Sequence, residues 1–243
     1  LGSARDCVLG VRLINGIGQH LKFGGEVMKN VAGYDLSRLS VGAYGTLGIL
    51  TEISVKVLPM PELEQTQRLE CSQAEALERL VRIGRRPYPI SAAAWIQGAL
   101  SVRLSGAASG VASAASAIGG ESLPDSDMFW AGLRDLSATE FHEEGRWLWR
   151  LSVAPTTPVN AVDAFCFDWA GGQRWVMTDP DDDSPFDIAS KCGGHAICFA
   201  QNRSEGTGMQ PLAPGILSLN QRIKDAMDPH GLINRGRLLG GTH

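Results

Sequence analysis

The run Leu47–Leu58 (LGILTEISVKVL) alternates apolar and polar side chains, and Pro59 and Pro61 stop it. Alternation of this kind marks a strand, and prolines cannot continue a hydrogen-bonded ladder. Ahead of the strand, Asp35–Ser40 (DLSRLS) suits a short helix with Asp35 as its N-cap. Between the two, glycines stand at 42, 45 and 48. The order is therefore helix, glycine turn, strand. A Rossmann dinucleotide turn has the opposite order, because the helix N-terminus must follow the strand to hold a pyrophosphate. The glycines have two readings. They close a tight helix-to-strand turn, or they let a flat ligand approach the backbone where no Cβ intervenes.

The other segments follow from the same periodicities. Cys7–Asn15 reads as a strand, and Asn15-Gly16 as a tight hairpin turn whose two positions want positive φ. Gln19–Phe23 is the returning strand. After Pro61 the pattern changes, which places a domain boundary there: 1–61, then 62–243. In the second part, strands are expected at 65–71, 90–97, 100–105, 147–153, 165–169, 174–178 and 195–200. Helices are expected at 73–85, 107–118, 125–136, 185–192 and 214–227. Strands joined by short hairpins predict an antiparallel sheet with helices on one face, an α+β fold.

Composition bounds the function. A net charge of -4 gives no electrostatic case for nucleic acid or an anionic membrane. No apolar run approaches the roughly 18 residues of a transmembrane helix. The five cysteines are odd in number and scattered, which fits a reducing, cytoplasmic setting better than a disulfide framework. The acidic run Asp179–Asp183 lacks the spacing and glycine of a calcium loop, so no metal site is expected. The start, Leu1-Gly2-Ser3, has neither an initiator Met nor a secretory core, and reads as cut from a longer chain.

Longer strings carry more. Lys29-Asn30, Gly33-Tyr34-Asp35-Leu36 and Gly45-Thr46-Leu47-Gly48-Ile49-Leu50 together resemble the second half of the FAD-binding domain in the vanillyl-alcohol-oxidase (PCMH-type) flavoproteins. The string FGGEVMKNVAGYD resembles, more narrowly, the FAD-binding subunits of glycolate oxidase. Phe129–Leu136, Leu148–Ser152, Asp168–Trp175, Gly193–Ala196 and Asp228–Arg237 extend that resemblance over nearly the whole chain. Two positions depart from it. Arg235 stands where the family has Pro, and Tyr44 where it has a small or aliphatic residue.

The resemblance implies an FAD-dependent oxidoreductase subunit that turns glycolate, a small 2-hydroxy acid, into glyoxylate. It implies a complex with a second flavin subunit and an iron–sulfur subunit, peripheral to the inner membrane. The family's flavin domain has an earlier lobe that holds the pyrophosphate, and nothing in this sequence matches it, so FAD is expected to be poorly retained. By resemblance, Gly45, Thr46, Gly48 and Leu50 contact the flavin, with Lys29, Asn30 and Tyr34 beside it. His195 is a candidate base, because a His titrates near working pH; the alternative is a core histidine. Arg150 and Arg174 are candidates to clamp a substrate carboxylate, or to satisfy a buried acid such as Asp168. A non-catalytic assembly subunit and a D-lactate dehydrogenase are the competing functions.

Overall fold

The computed structural model describes residues 3–26, 35–199 and 207–239. They form two compact units that part between Pro59 and Met60. In chain order the first unit has α1 (Ala4–Cys7), β1 (Val8–Ile14), β2 (His20–Gly24), α2 (Leu36–Leu39) and β3 (Ile49–Val55). The second has β4 (Leu63–Glu70), α3 (Gln73–Gly84), β5 (Ile90–Ile96), β6 (Ala99–Gly106), α4 (Ala108–Ile118), β7 (Glu121–Ser122), α5 (Ser126–Asp135), β8 (Trp147–Ser152), β9 (Cys166–Asp168), β10 (Gln173–Thr178), α6 (Ser184–Lys191) and β11 (His195–Cys198). The last helix, α7 (Pro214–Met227), belongs to the first unit with residues 211–239. The sequence reading kept this helix with the second domain.

The reason for the helix's return is an ion pair. Lys224 of α7 donates its three ammonium bonds to the Thr46 carbonyl (2.8 Å), the Ile233 carbonyl (2.8 Å) and the Asp228 carboxylate. Asp228, 2% exposed, also accepts the Leu232 and Ile233 amides at 3.0 and 2.8 Å. Every donor of a buried ammonium must find an acceptor. Lys224 finds one of its three on the glycine turn, which fixes α7 to that turn.

In the first unit β1 is the centre of a three-stranded antiparallel sheet, β2-β1-β3. Val8, Val11 and Leu13 build a small core with Phe23, Val41 and Met227. The hairpin between β1 and β2 exists, but not as a two-residue Asn-Gly turn. Asn15 Oδ1 instead accepts the amides of Ile17 and Gln19 across a longer loop, and the positive φ falls at Gly18. Gly16 is needed for space: a Cβ there would lie 2.1 Å from Asp228 Oδ1.

The second unit is one antiparallel sheet in the order β11-β8-β10-β9-β5-β6-β4-β7, so the α+β class holds. Helices cover both faces, where the sequence suggested one. Ala93 of β5 packs with α3 and α4, and its neighbours Ala94 and Ile96 pack with Leu133 of α5. Successive strand residues point to opposite faces, so the two clusters lie on opposite sides. Phe129 and Trp130 of α5 join the second cluster. Arg174 is fully buried on the α3 side. It donates to the carbonyls of Gly171 (2.8 Å) and Thr157 (2.7 Å), and so braces loops and not Asp168.

Burial alone would raise the Asp228 carboxyl, but the Lys224 ammonium and two amides outweigh it and hold its pKa at about 2. A depressed acid stabilises the fold fully above its unfolded pKa and loses that stabilisation as pH falls through the folded value. We expect Asp228→Asn to cost about 3 kcal/mol at pH 7. The deficit should shrink as pH falls from about 4 toward 2, read by urea denaturation across pH.

Candidate functional site

Two places combine the residues the sequence singled out, one in each unit. In the first unit, the α2-to-β3 turn is built from the inside. The Thr46 side chain is buried, its hydroxyl donates to the Ala43 carbonyl at 2.6 Å, and its own carbonyl receives Lys224. Gly48 is also buried, and a Cβ there would meet the Ile14 carbonyl and the Leu13 side chain at 2.8 Å. These two residues hold the turn against β1 and α7. Gly45 and Leu50 are exposed. Gly45 has φ 68°, and its Cα lies against Asn234, whose amide donates to the Tyr44 carbonyl at 2.7 Å. Tyr44 is itself in the left-handed region, at φ 52°. Arg235, in the family's Pro position, turns back and donates to the carbonyls of Gly231 and His230 in its own loop. Asn234 fills the side of Gly45 that a Cβ would take, so of the turn the exposed Gly45 backbone and the apolar Leu50 are what a flat group such as a flavin would meet. Lys29, Asn30 and Tyr34 lie outside the described residues.

The C-terminal loop beside this turn encloses a cleft of about 330 Å³. Its lining includes Thr46, Lys224, Asp228, His230, Asn234 and Arg235.

In the second unit, strand register assembles a polar row. His195 of β11 lies opposite Ser152 of β8, Ser152 opposite Gln173 of β10, and Gln173 opposite Asp168 of β9. The next row holds Ile197, Arg150, Trp175 and Cys166, on the same face. Both candidates, His195 and Arg150, are therefore brought together, with Arg150 flanked by His195 on one side and Asp168 on the other. A Cβ at residue 194 would lie 2.1 Å from the Ser152 carbonyl, so Gly194 is what allows β11 to dock on β8 and sets the His195 register.

The electrostatics of this face are unusual. Arg150 Nε is buried without a hydrogen-bond partner, while the Trp175 indole N–H faces the buried Asp168 carboxyl. Among the described residues no ion pair joins Arg150 to Asp168, which the sequence reading had made its counter-ion. The Arg150 guanidinium lies over the Phe199 ring, 5.5 Å from its centroid, and Phe199 contacts Trp175 at 5.6 Å. Burial pushes the Asp168 carboxyl up to about 6, against the Trp175 N–H and the Arg150 charge, which favour its ionised form. Burial and then Arg150 lower the pKa of His195, which sits exposed on the edge strand. Buried donors and acceptors are normally paired. Arg150 Nε is thus a buried donor on this face with no acceptor. Asp168 and Trp175 were missed as site residues; only the register of β8, β9 and β10, which single strands do not reveal, brings them to Arg150.

The fold has counterparts among solved structures. It matches a solved alkyldihydroxyacetonephosphate synthase with a TM-score of 0.57 at 14% identity, over 95% of this chain and 53% of that one. It matches Physcomitrella patens BBE-like 1 with a TM-score of 0.54 at 14% identity, over 98% and 66%. No known family profile matches the chain. Among curated proteins, the chain is 42% identical over 238 residues to glycolate oxidase subunit GlcE of Escherichia coli, covering 98% of this chain and 66% of GlcE. It is 49% identical over 65 residues to subunit GlcD of Bacillus subtilis, 27% of this chain and 14% of that protein. It is 41% identical over 61 residues to a D-lactate dehydrogenase of Anaerostipes hadrus, 25% and 13%. The chain belongs with the GlcE-type subunits, and spans just under two thirds of GlcE's length. Among the described residues no helix is long and apolar enough to cross a membrane.

An acid whose folded pKa is raised binds extra protons in the native state, so its fold loses stability as pH rises through that window. We therefore expect Asp168→Asn to be more stable than the wild type by about 2–3 kcal/mol at pH 7.5, with the gain vanishing below about pH 4. Chemical denaturation at the two pH values checks this, and equal stability at pH 7.5 would contradict the burial argument.

Proposed function

We propose that the chain is the FAD-binding subunit of a glycolate oxidase, and that the polar row of the second unit receives the 2-hydroxy acid. The observation that carries this is the buried, unpartnered Nε of Arg150 in a chain 42% identical to GlcE over 98% of its length. A planar guanidinium binds a carboxylate in two-pronged fashion, and stacking on Phe199 preorients it. When bound, the flavin supplies the two-electron acceptor. The protein's own part is to hold the substrate anion by Arg150 and to keep a neutral His195 and a titratable Asp168 on either side.

Gly45 and Leu50 are the proposed flavin contacts, with Thr46 and Gly48 shaping the turn and Lys29, Asn30 and Tyr34 assigned by resemblance. Because only two of the four turn residues face outward, this stretch by itself is proposed to hold FAD weakly. The names of its GlcE and GlcD relatives support a multi-subunit enzyme. Within it we propose a second flavin subunit and an iron–sulfur subunit that takes the electrons, in the cytoplasm at the inner membrane. D-lactate as substrate has weaker support, since that likeness covers only 25% of the chain.

One observation favours a purely structural role. The edge strand β3 and the residues after it expose Ile53, Val55 and Val57, the last at 79%, and such patches mark protein contacts. Turnover separates the two readings. In the reconstituted complex, Arg150→Ala should raise the KM for glycolate about a hundredfold, as truncating a buried charge partner does, with bound flavin unchanged. Unchanged KM and kcat would leave the assembly role standing.

A further inference from the structure

The carbonyls on either side of Gly45 are both gripped by α7 and the loop after it. Asn234 Nδ2 donates to the Tyr44 carbonyl at 2.7 Å, and Lys224 Nζ to the Thr46 carbonyl at 2.8 Å. The Ala43 carbonyl is taken up inside the turn, by the Thr46 amide at 2.9 Å and the Thr46 hydroxyl at 2.6 Å. Gly45 owes its missing side chain to the first of these contacts. A Cβ there would lie 2.8 Å from Asn234 Nδ2 and 3.9 Å from its Cγ, and, chain neighbours aside, would meet no other atom within 4 Å.

In a trans peptide the C=O and the N–H point in opposite directions, and the described residues contain no cis bond. Holding the Tyr44 and Thr46 carbonyls therefore aims the next two N–H groups, those of Gly45 and Leu47, away from the side chains that hold them. Among the described residues no acceptor meets either N–H. We propose that Asn234 and Lys224 are positioning residues for the flavin: they fix the peptide planes of the turn so that the N–H groups of Gly45 and Leu47 face acceptor atoms of the cofactor. Neither side chain need touch it. This rests on the flavin contacts given under Proposed function. It goes beyond them by naming what holds those contacts, and by making the glycine a requirement of Asn234 instead of the cofactor.

The backbone around Asn234 is pinned on both sides. Lys224 also donates to the Ile233 carbonyl at 2.8 Å, and Arg235 donates to the carbonyls of Gly231 and His230. The Asn234 amide is therefore presented from a fixed loop. Asn234 itself is exposed and has φ 42°. Glycine adopts that left-handed conformation without strain, so Asn234→Gly removes the amide and keeps the backbone. Lys224 is a poorer probe, because its removal leaves the buried Asp228 carboxylate without its ammonium.

Two measurements test this: hydrogen exchange of the Thr46 amide in the free chain, and FAD titration of the complex reconstituted from the flavin-free chain. Asn234→Gly should speed the exchange and weaken FAD binding about three- to tenfold, the worth of one hydrogen bond. Gly45→Ala should weaken FAD binding in the wild type but add nothing in the Asn234→Gly background, since only Asn234 stands in the way of the new Cβ. Leu50→Asp is the control for the flavin contacts and should weaken FAD binding in either background. Unchanged Thr46 exchange in Asn234→Gly overturns the grip. FAD losses from Gly45→Ala and Asn234→Gly that simply add, or an affinity unchanged in Asn234→Gly while Leu50→Asp lowers it, overturn the positioning role and leave the flavin contacts standing. An affinity unchanged in Leu50→Asp and in Asn234→Gly alike overturns the flavin contacts, and the positioning role falls with them.

Discussion

The function proposed here depends on the register of four short antiparallel strands. Because side chains alternate across a strand, pairing β11, β8, β10 and β9 in one register puts His195, Ser152, Gln173 and Asp168 in a row with Arg150 and Trp175 beside it. A slip of one residue would send each polar group to the opposite face, into the cluster of Trp149, Leu151 and Val176. Apolar packing therefore fixes the site: the tryptophans and leucines that must be buried on one face dictate which polar residues meet on the other.

The face is held in a costly state. A carboxyl raised by burial and an unpaired guanidinium nitrogen destabilise a fold. Arg174 shows the contrast. It is more deeply buried and also leaves Nη1 unbonded, but its Nε and Nη2 donate to loop carbonyls, so it acts as a brace. Arg150 leaves its buried Nε unbonded, and preorganised, unsatisfied polar groups are what a binding site supplies to its ligand. The first unit shows the opposite economy. Lys224 and Asp228 satisfy one another and the backbone, so their charges are used up in fixing α7 to the glycine turn.

Much of this was legible in the sequence. Periodicity located the long β3 strand, the capped helix after Asp35 and helix α7 to the residue, because each carries its own local signal. The Asn15-Gly16 dipeptide misled, since Gly16 is demanded by Asp228, which lies far along the chain and is invisible to a local reading. The same distance hid the return of α7 to the first unit. Arg150 and His195 were visible as chemistry but not as neighbours. Asp168 was visible only as a counter-ion, and its lack of an ion pair follows from strand register that no single segment encodes. The flavin residues came by resemblance, and the structure divides them into turn builders, Thr46 and Gly48, and outward-facing positions, Gly45 and Leu50.

The most direct test is a structure of the reconstituted complex with oxalate, a substrate-sized anion that has no hydroxyl to oxidise. The account predicts an oxalate carboxylate within hydrogen-bonding distance of Arg150 Nε, on the face shared with Asp168 and Trp175. Oxalate bound elsewhere, with Arg150 Nε still unpartnered, would contradict it.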